Sequence, residues 1–217
     1  MKYQAAFFDL DGVIIDSEPL HVSAFQSTLE NYGHSLSEQD YRDHFAGKTD
    51  RAGFESYLKF MNEKVDLSLI MEMKAKKYLE LAADKLVPYP GIIALITSLA
   101  NSMALALVTG SLRAEAEVAL RALEITDCFK VIVAAEDISQ SKPNPEGYKK
   151  AAALLNAIPE HCVIVEDSPS GVKAARAAGA DCIAVTNTHT QAELQEAANV
   201  VNRLELGMFL GLDSLRE

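Results

Sequence analysis

Short apolar runs without polar alternation recur along the chain, separated by longer stretches with helical spacing. Such runs are typical of strands that are buried on both faces of a parallel sheet. The predicted strands are 5–8, 103–108, 131–134, 162–165 and 181–185. Helical stretches lie between the later strands, and this alternation predicts an α/β fold with a doubly wound, Rossmann-like parallel sheet.

Residues 17–87 depart from this pattern because they contain several helical stretches and no strand-like apolar run. Within them, Ser37 and Asp40 have the spacing of a capping-box variant. The first strand belongs with the later strands, so the sequence predicts an α/β core domain formed by 1–16 and 88–217. A small helical domain is predicted to be inserted at 17–87.

Polar segments follow four of the predicted strands, directly or in the next loop. In an open parallel sheet the carboxyl ends of the strands share one edge, and ligands bind in the crevice beyond it. The segments are Asp9-Leu10-Asp11-Gly12, Val108-Thr109-Gly110-Ser111, Ser141-Lys142-Pro143-Asn144-Pro145 and Val165-Glu166-Asp167-Ser168. Together they supply two carboxylate pairs, hydroxyls and an ammonium, which are the groups that a phosphoryl-transfer site needs.

Each segment also has a structural explanation when it is taken alone. Asp9 and Asp11 could be a polar exit from a strand, and Ser111 could be an ordinary helix N-cap. Lys142 could be a solvated loop charge, and the acidic pair of the fourth segment could complement a helix dipole. The convergence of all four segments at one sheet edge favours the functional interpretation.

In order and spacing, the four segments resemble the motifs of the haloacid dehalogenase superfamily, over essentially the whole chain. Residues 9–21 are particularly similar to the branch that contains β-phosphoglucomutase and many sugar-phosphate phosphatases. The resemblance implies that Asp9 is the nucleophile, which forms an aspartyl-phosphate, and that Asp11 is the general acid and base. It also implies that Thr109 and Lys142 hold the transferring phosphoryl group.

The same resemblance implies a Mg²⁺ cofactor and a mobile helical cap that closes over small substrates. The metal would be held, directly or through water, by Asp9, the Asp11 carbonyl, Glu166 and Asp167. Further candidates for substrate or phosphate binding are Gly110, Ser111, His21, Asp50, Arg51, Lys74 and Arg113. For His21, a surface helix residue is an equally good interpretation. True dehalogenases of the superfamily lack the second aspartate, so Asp11 argues against dehalogenation.

Two departures from β-phosphoglucomutase bear on the choice of reaction. The mutase branch has an arginine three residues after the glycine that corresponds to Gly47. This chain has Asp50 at that position, followed by Arg51. The Lys-Asn pair after the mutase's second motif is replaced by Leu112-Arg113. Both changes weaken the expected clamp for a second phosphate, which makes water the expected acceptor.

The sequence therefore predicts a Mg²⁺-dependent phosphatase, a phosphoric monoester hydrolase, acting on small phosphorylated metabolites such as sugar phosphates. The alternative enzyme is a hexose-phosphate mutase. An alternative of another class is a non-catalytic binding protein on the same fold.

Charge and cysteine content limit the expected partners and location. With 20 Lys and Arg against 31 Asp and Glu, the net charge of −11 disfavours nucleic acid and anionic membranes as partners. The apolar runs are too short to span a bilayer, and no secretory signal precedes the first strand. The three cysteines lack metal-site spacing, and Cys162 and Cys182 fall in predicted strands. We expect a cytoplasmic monomer whose partner is a small phosphorylated metabolite.

Overall fold

The computed structural model of the protein describes residues 2–46 and 48–211. The chain divides into two compact units. The core unit consists of Met1–Asp16 and Val87–Glu217, and the helical unit is Ser17–Leu86. Val87, which the sequence places in the insertion, belongs to the core unit.

A parallel sheet of six strands lies at the centre of the core unit. In chain order the strands of this unit are β1 (Ala5–Phe8), β2 (Ile15–Asp16), β3 (Val87–Pro88), β4 (Ala104–Val108), β5 (Val131–Val133), β6 (Cys162–Glu166), β7 (Asp181–Val185) and β8 (Asn199–Val201). The sheet has the order β5-β4-β1-β6-β7-β8, and β2 pairs with β3 in a separate antiparallel ribbon. The predicted doubly wound α/β fold is confirmed.

The five predicted strands are all present, with ends that differ from the prediction by at most one residue. The sequence analysis missed β8 and the β2–β3 ribbon. These strands have two or three residues each, and β8 is an exposed to half-buried edge strand, so none of them carries a long apolar run. Cys162 and Cys182 are buried free thiols, as expected.

The register of the central strand determines which polar residues meet at the sheet edge. All four residues of β1 are buried, because the strand lies between β4 and β6. Phe8 is level with Leu107 on one side and with Val165 on the other. The residues that follow these three strands therefore lie at one edge, as the rule for open parallel sheets requires.

Helices cover both faces of this sheet. The helices of the core unit are α5 (Ile92–Ala100), α6 (Arg113–Ala122), α7 (Glu146–Leu154), α8 (Pro169–Ala178) and α9 (Gly207–Leu210). One face packs against α7 and α8 through Tyr148, Val172 and many alanines. Small side chains allow these two helices to lie close to the sheet, which brings α7 and α8 near the carboxyl end of β6.

The helical unit contains α1 (Glu18–Glu30), α2 (Glu38–His44), α3 (Asp50–Met61) and α4 (Leu67–Lys85). Its aromatic core is centred on Phe25, whose ring lies 4.4 Å from that of Phe45 and 5.2 Å from that of Phe54. The predicted capping box is confirmed. The Ser37 hydroxyl accepts the Asp40 N–H at 3.1 Å, and the Asp40 carboxylate accepts the Ser37 N–H at 3.3 Å. Among the described residues, none of the helices is both long enough and apolar enough for a membrane span.

The cap of α2 gives a prediction about the helical unit. Ser37→Ala removes the hydroxyl that accepts the Asp40 N–H, and loss of such an N-cap costs about 1 kcal/mol. In a chain of this size we expect the melting temperature to fall by about 2–4 °C in calorimetry. Ser23→Ala is the control. The Ser23 hydroxyl donates a hydrogen bond to the Pro19 carbonyl within the same helix and caps no helix end. Equal losses in both variants would contradict the importance of the cap.

Candidate active site

The chain turns sharply directly after Asp9, which is 8% exposed at the end of β1. Gly12 has a φ of +78°, a conformation that favours glycine, and its N–H donates to the Ile15 carbonyl at 2.9 Å. A Cβ at Gly12 would lie 2.0 Å from Oδ2 of Asp167. Glycine is therefore required both for the turn and for the approach of the acidic residue that follows β6.

The Lys142 ammonium links the first and fourth polar segments. Its Nζ lies 2.9 Å from Oδ1 of Asp9 and 2.6 Å from Oε1 of Glu166, and it donates to the Val108 carbonyl at 3.3 Å. Burial favours a lower pKa for Lys142, but the two carboxylates outweigh burial and raise the pKa above its usual value. Lys142 is thus a charged residue inside the site and not a solvated loop residue.

Three carboxylates form an acidic cluster beside this ammonium. Asp9, Glu166 and Asp167 each offer an oxygen, and these oxygens lie within 4.8 Å of one another. Burial raises the pKa of Asp9 well above its ordinary value, and the carboxylates around it add to this effect, while Lys142 opposes it. Burial also raises the pKa of Asp167 to about 6. Crowded carboxylates of this kind are stabilised by a cation.

A buried oxygen without a hydrogen-bond donor supports a metal at this position. Within the acidic cluster, Oδ1 of Asp9 is buried and accepts no hydrogen bond from the described residues. The approach of Lys142 to Oδ1 of Asp9 is an ion-pair contact whose direction does not meet hydrogen-bond geometry. A cluster of carboxylate oxygens with free lone pairs is the donor set that Mg²⁺ prefers. The residues therefore fit the metal that the sequence implies.

The second segment contacts the first through its hydroxyls. Thr109 is 2% exposed, and its Oγ1 accepts the Ser111 N–H at 2.9 Å. The Ser111 hydroxyl donates to Oδ2 of Asp11, which fixes one oxygen of that carboxylate. At Gly110, between them, no atom of the other described residues lies within 4 Å of the place that a Cβ would occupy, so this backbone faces open space.

Ser111 is not the N-cap of the helix that follows it, so that alternative interpretation is wrong. The N-cap of α6 is Leu112, whose N–H donates to the Glu115 carboxylate at 3.1 Å. Because Ser111 lies before the N-cap, its side chain contacts Asp11 instead of the first turn of α6.

Three of the candidates in the helical unit form a polar cluster around the buried Lys74 ammonium. The Lys74 side chain is 1% exposed, and its Nζ lies 2.8 Å from Oδ2 of Asp50 and 2.8 Å from Nδ1 of His21. The ammonium also lies 4.9 Å from the Phe25 ring centroid and 5.2 Å from that of Tyr78. An ammonium can only donate, so Nδ1 of His21 is the acceptor. His21 is therefore a half-buried partner of Lys74 and not an isolated surface residue.

The two arginine candidates have carboxylate partners of their own. Arg51 lies 3.8 Å from Glu55 one turn along the exposed side of α3. Arg113 pairs with Asp137 and donates to the Ile132 carbonyl at 3.2 Å. Their contact with substrate stays a prediction, as does that of His21, Asp50 and Lys74. Gly47, from which the expected clamp position is counted, lies outside the described residues.

Three residues at the site were missed by the sequence analysis. The Asn187 amide donates to the Gly12 carbonyl at 2.8 Å, the Thr188 hydroxyl donates to Oδ2 of Asp167, and the Tyr148 hydroxyl donates to Glu166. Asn187 and Thr188 follow β7, so the strand-end rule applied to this fifth predicted strand would have found them. Tyr148 lies inside α7, and no local sequence signal marks it.

The arrangement suits the transfer of an anionic group. A buried carboxylate, Asp9, lies against the Lys142 ammonium, and a second carboxylate, Asp11, has one oxygen that accepts no hydrogen bond from the described part of the chain. Positive charge beside a carboxylate nucleophile lowers the electrostatic cost of its attack on a phosphate ester.

Comparison with known proteins agrees with this chemistry. The chain is 32% identical over 197 residues to the validoxylamine A 7'-phosphate phosphatase of Streptomyces hygroscopicus subsp. limoneus, covering 90% of this chain and 91% of that protein. It is 33% identical over 181 residues to the phosphorylated carbohydrates phosphatase of Thermotoga maritima, covering 83% of each. The crystal structure of a putative β-phosphoglucomutase from Thermotoga maritima superposes with a TM-score of 0.82 at 28% identity, over 98% of this chain and all of that one.

The family model described as haloacid dehalogenase-like hydrolase matches residues 6–185, which include all four polar segments of the sheet edge. This chain therefore belongs to the haloacid dehalogenase-like hydrolase family.

Proposed function

We propose that this protein is a Mg²⁺-dependent phosphatase that hydrolyses small phosphorylated metabolites, sugar phosphates above all, through an aspartyl-phosphate on Asp9. The observation that carries the proposal is the Lys142 ammonium 2.9 Å from Oδ1 of Asp9, beside the acidic cluster at the sheet edge. The relatives named validoxylamine A 7'-phosphate phosphatase and phosphorylated carbohydrates phosphatase support a phosphorylated metabolite as the substrate.

Asp9 attacks the phosphorus while Lys142 offsets the negative charge on the phosphoryl oxygens. The Thr109 hydroxyl oxygen already accepts the Ser111 N–H, so its own proton is free to donate to the phosphoryl group. Asp9, Asp167 and the Asp11 carbonyl would hold Mg²⁺, with Glu166 in contact directly or through water. When bound, the metal supplies further positive charge to the phosphoryl oxygens.

Asp11 serves as the general acid and then as the general base. The Ser111 hydroxyl fixes its Oδ2, and its Oδ1 has no hydrogen bond within the described part of the chain. The free oxygen delivers a proton to the leaving oxygen of the substrate. It later takes a proton from the water that attacks the aspartyl-phosphate, as reversibility of the step requires.

A hexose-phosphate mutase is the second candidate function, favoured by the similarity to a putative β-phosphoglucomutase. A mutase must hold a second phosphate away from the reacting one. In the helical unit Lys74 is paired with Asp50, and Arg51 with Glu55. To use Lys74 for a phosphate would require separating its buried ammonium from Asp50, whose side chain is 35% exposed, and this opposes phosphate binding there. We therefore favour water as the acceptor, and we keep the cytoplasmic location and the monomeric state as predictions.

Asp9→Asn tests the nucleophile. The amide keeps the shape of the side chain but removes the attacking anion, so we expect kcat to fall by at least about 10³-fold with substrate binding retained. Phosphate release from several sugar phosphates measures the first quantity, and calorimetric titration measures the second. Asp127→Asn, at an exposed position, is the matched control. Near-normal turnover in Asp9→Asn would refute the assignment.

Removal of the metal tests the acidic cluster. We expect chelation to abolish phosphate release and added Mg²⁺ to restore it. Asp167→Asn should need a Mg²⁺ concentration higher by about tenfold or more, because one carboxylate ligand is lost. An enzyme that keeps its activity in excess chelator would contradict the metal role of this cluster.

The products formed from β-glucose 1-phosphate distinguish phosphatase from mutase. The enzyme is incubated with this sugar, Mg²⁺ and a catalytic amount of the bisphosphate, and glucose 6-phosphate and free phosphate are followed together. We expect free phosphate to dominate. Asp50→Asn should bind bisphosphorylated sugars more tightly because it leaves Lys74 with uncompensated charge, whereas Glu72→Gln, an exposed change of equal charge, should not. Rapid glucose 6-phosphate formation with little phosphate release would establish the mutase instead.

A further inference from the structure

The Glu166 carboxylate has an unusually complete set of hydrogen-bond donors. Glu166 ends β6 and is 0% exposed. Its Oε1 accepts the Tyr148 O–H and lies 2.6 Å from Nζ of Lys142. Its Oε2 accepts the Asp167 N–H and the Ser168 O–H, both at 3.2 Å. Two donors at each oxygen fix the orientation of the carboxylate, because any rotation would leave a buried acceptor without a partner.

The first turn of α8 limits the position of this carboxylate from another side. A Cβ at Gly171 would lie 1.9–2.0 Å from the carboxyl atoms of Glu166, so the carboxylate packs directly on the helix backbone. The Ser168 oxygen accepts the Gly171 N–H at 3.1 Å as the helix N-cap while its proton goes to Glu166. Glu166 is therefore held by groups that are themselves fixed by secondary structure.

Tyr148 contacts both members of the Glu166–Lys142 pair. It is 1% exposed on α7, its hydroxyl donates to Glu166, and its ring centroid lies 5.3 Å from Nζ of Lys142. Burial raises the pKa of Tyr148 well above its ordinary value, and the Glu166 charge adds to this, so the hydroxyl stays protonated and donates. Lys142, in contrast, lies in the loop before α7, where its ammonium is held by Glu166, Asp9 and the Val108 carbonyl.

We propose that Tyr148 is a positioning residue for phosphoryl transfer: its hydroxyl fixes Glu166, and Glu166 in turn holds the Lys142 ammonium against Asp9. Two donors share Oε1 of Glu166, so loss of the Tyr148 hydroxyl leaves this oxygen less firmly placed, and the Lys142 ammonium shifts with it away from Asp9. The lysine then contacts the phosphoryl oxygens less well. This inference rests on the proposed function, since it assigns a role within that same site.

Tyr148→Phe tests the proposal because it keeps the ring and removes only the hydroxyl. We expect kcat/KM for p-nitrophenyl phosphate to fall about tenfold, the effect of one hydrogen bond to a charged group. The affinity for inorganic phosphate, titrated by calorimetry at saturating Mg²⁺, should fall by a similar factor. The affinity for Mg²⁺ alone should fall less than the phosphate affinity, since Asp9 and Asp167 are unchanged and Oε2 of Glu166 keeps both of its donors. A Mg²⁺ affinity that falls as much as the phosphate affinity would overturn the proposal.

Tyr3→Phe is the matched control. The Tyr3 hydroxyl donates to Oδ2 of Asp181 at 2.8 Å, so this variant deletes another bond between a tyrosine and a carboxylate in the core unit. Tyr3 precedes β1 and Asp181 begins β7, at the edge of the sheet opposite the site. We expect a loss of melting temperature with unchanged phosphate affinity. If Tyr148→Phe behaves in the same way, its role is structural only and the proposal fails.

A double-mutant cycle with Glu166→Gln identifies the route of the effect. If Tyr148 acts through Glu166, the double variant binds phosphate no more weakly than Glu166→Gln alone, whereas independent roles would add. Ser168→Ala removes the O–H donor to the other Glu166 oxygen and should also weaken phosphate binding. This variant replaces Tyr148→Phe as the test if Tyr148→Phe does not fold. If the wild-type enzyme is active and both Tyr148→Phe and Ser168→Ala keep its kcat/KM and phosphate affinity, only this inference is refuted. A wild-type protein without phosphatase activity would refute the proposed function.

Discussion

The contact of one half-buried ammonium with two buried carboxylates organises the site on which the rest of the account depends. Lys142 joins Asp9, at the end of the central strand, to Glu166, at the end of its neighbour, although these residues are far apart in the sequence. Removing either charge would leave its partner buried and uncompensated, which is expensive in a low-dielectric interior. The three charges stabilise one another only when all of them are present. The same three residues place the positive charge of Lys142 beside the nucleophile Asp9.

The sheet and two glycines bring these charges into contact. The register of β1 between β4 and β6 aligns the ends of three strands. Gly12 lets the loop after Asp9 approach Asp167, and Gly171 lets α8 approach Glu166, where a side chain at either position would overlap a carboxylate. The absence of a side chain at these two glycines is therefore required for the carboxylates and Lys142 to meet at one site in a chain that is strongly acidic overall.

Much of this architecture could be predicted from the sequence because strands buried on both faces leave continuous apolar runs. Asp9, Thr109 and Glu166 lie at strand ends, and the sequence showed each of them in a polar segment that follows an apolar run. Contacts made inside helices were not visible. Tyr148 has no local signal, and the pairing of Asp50 on α3 with Lys74 on α4 depends on tertiary packing. The N-cap interpretation of Ser111 failed because the N-cap is Leu112, whose N–H donates to the Glu115 carboxylate.

The most direct test of the account is to identify the residue that carries the phosphoryl group during turnover. Enzyme with Mg²⁺ and a sugar phosphate that it hydrolyses is quenched in acid within the first turnover, and its peptides are analysed by mass spectrometry. The account predicts one phosphoryl group on the peptide that contains Asp9, sensitive to hydroxylamine as an acyl phosphate is, and absent in Asp9→Asn. Phosphate on another residue, or release of phosphate with no phosphorylated enzyme at any quench time, would contradict it.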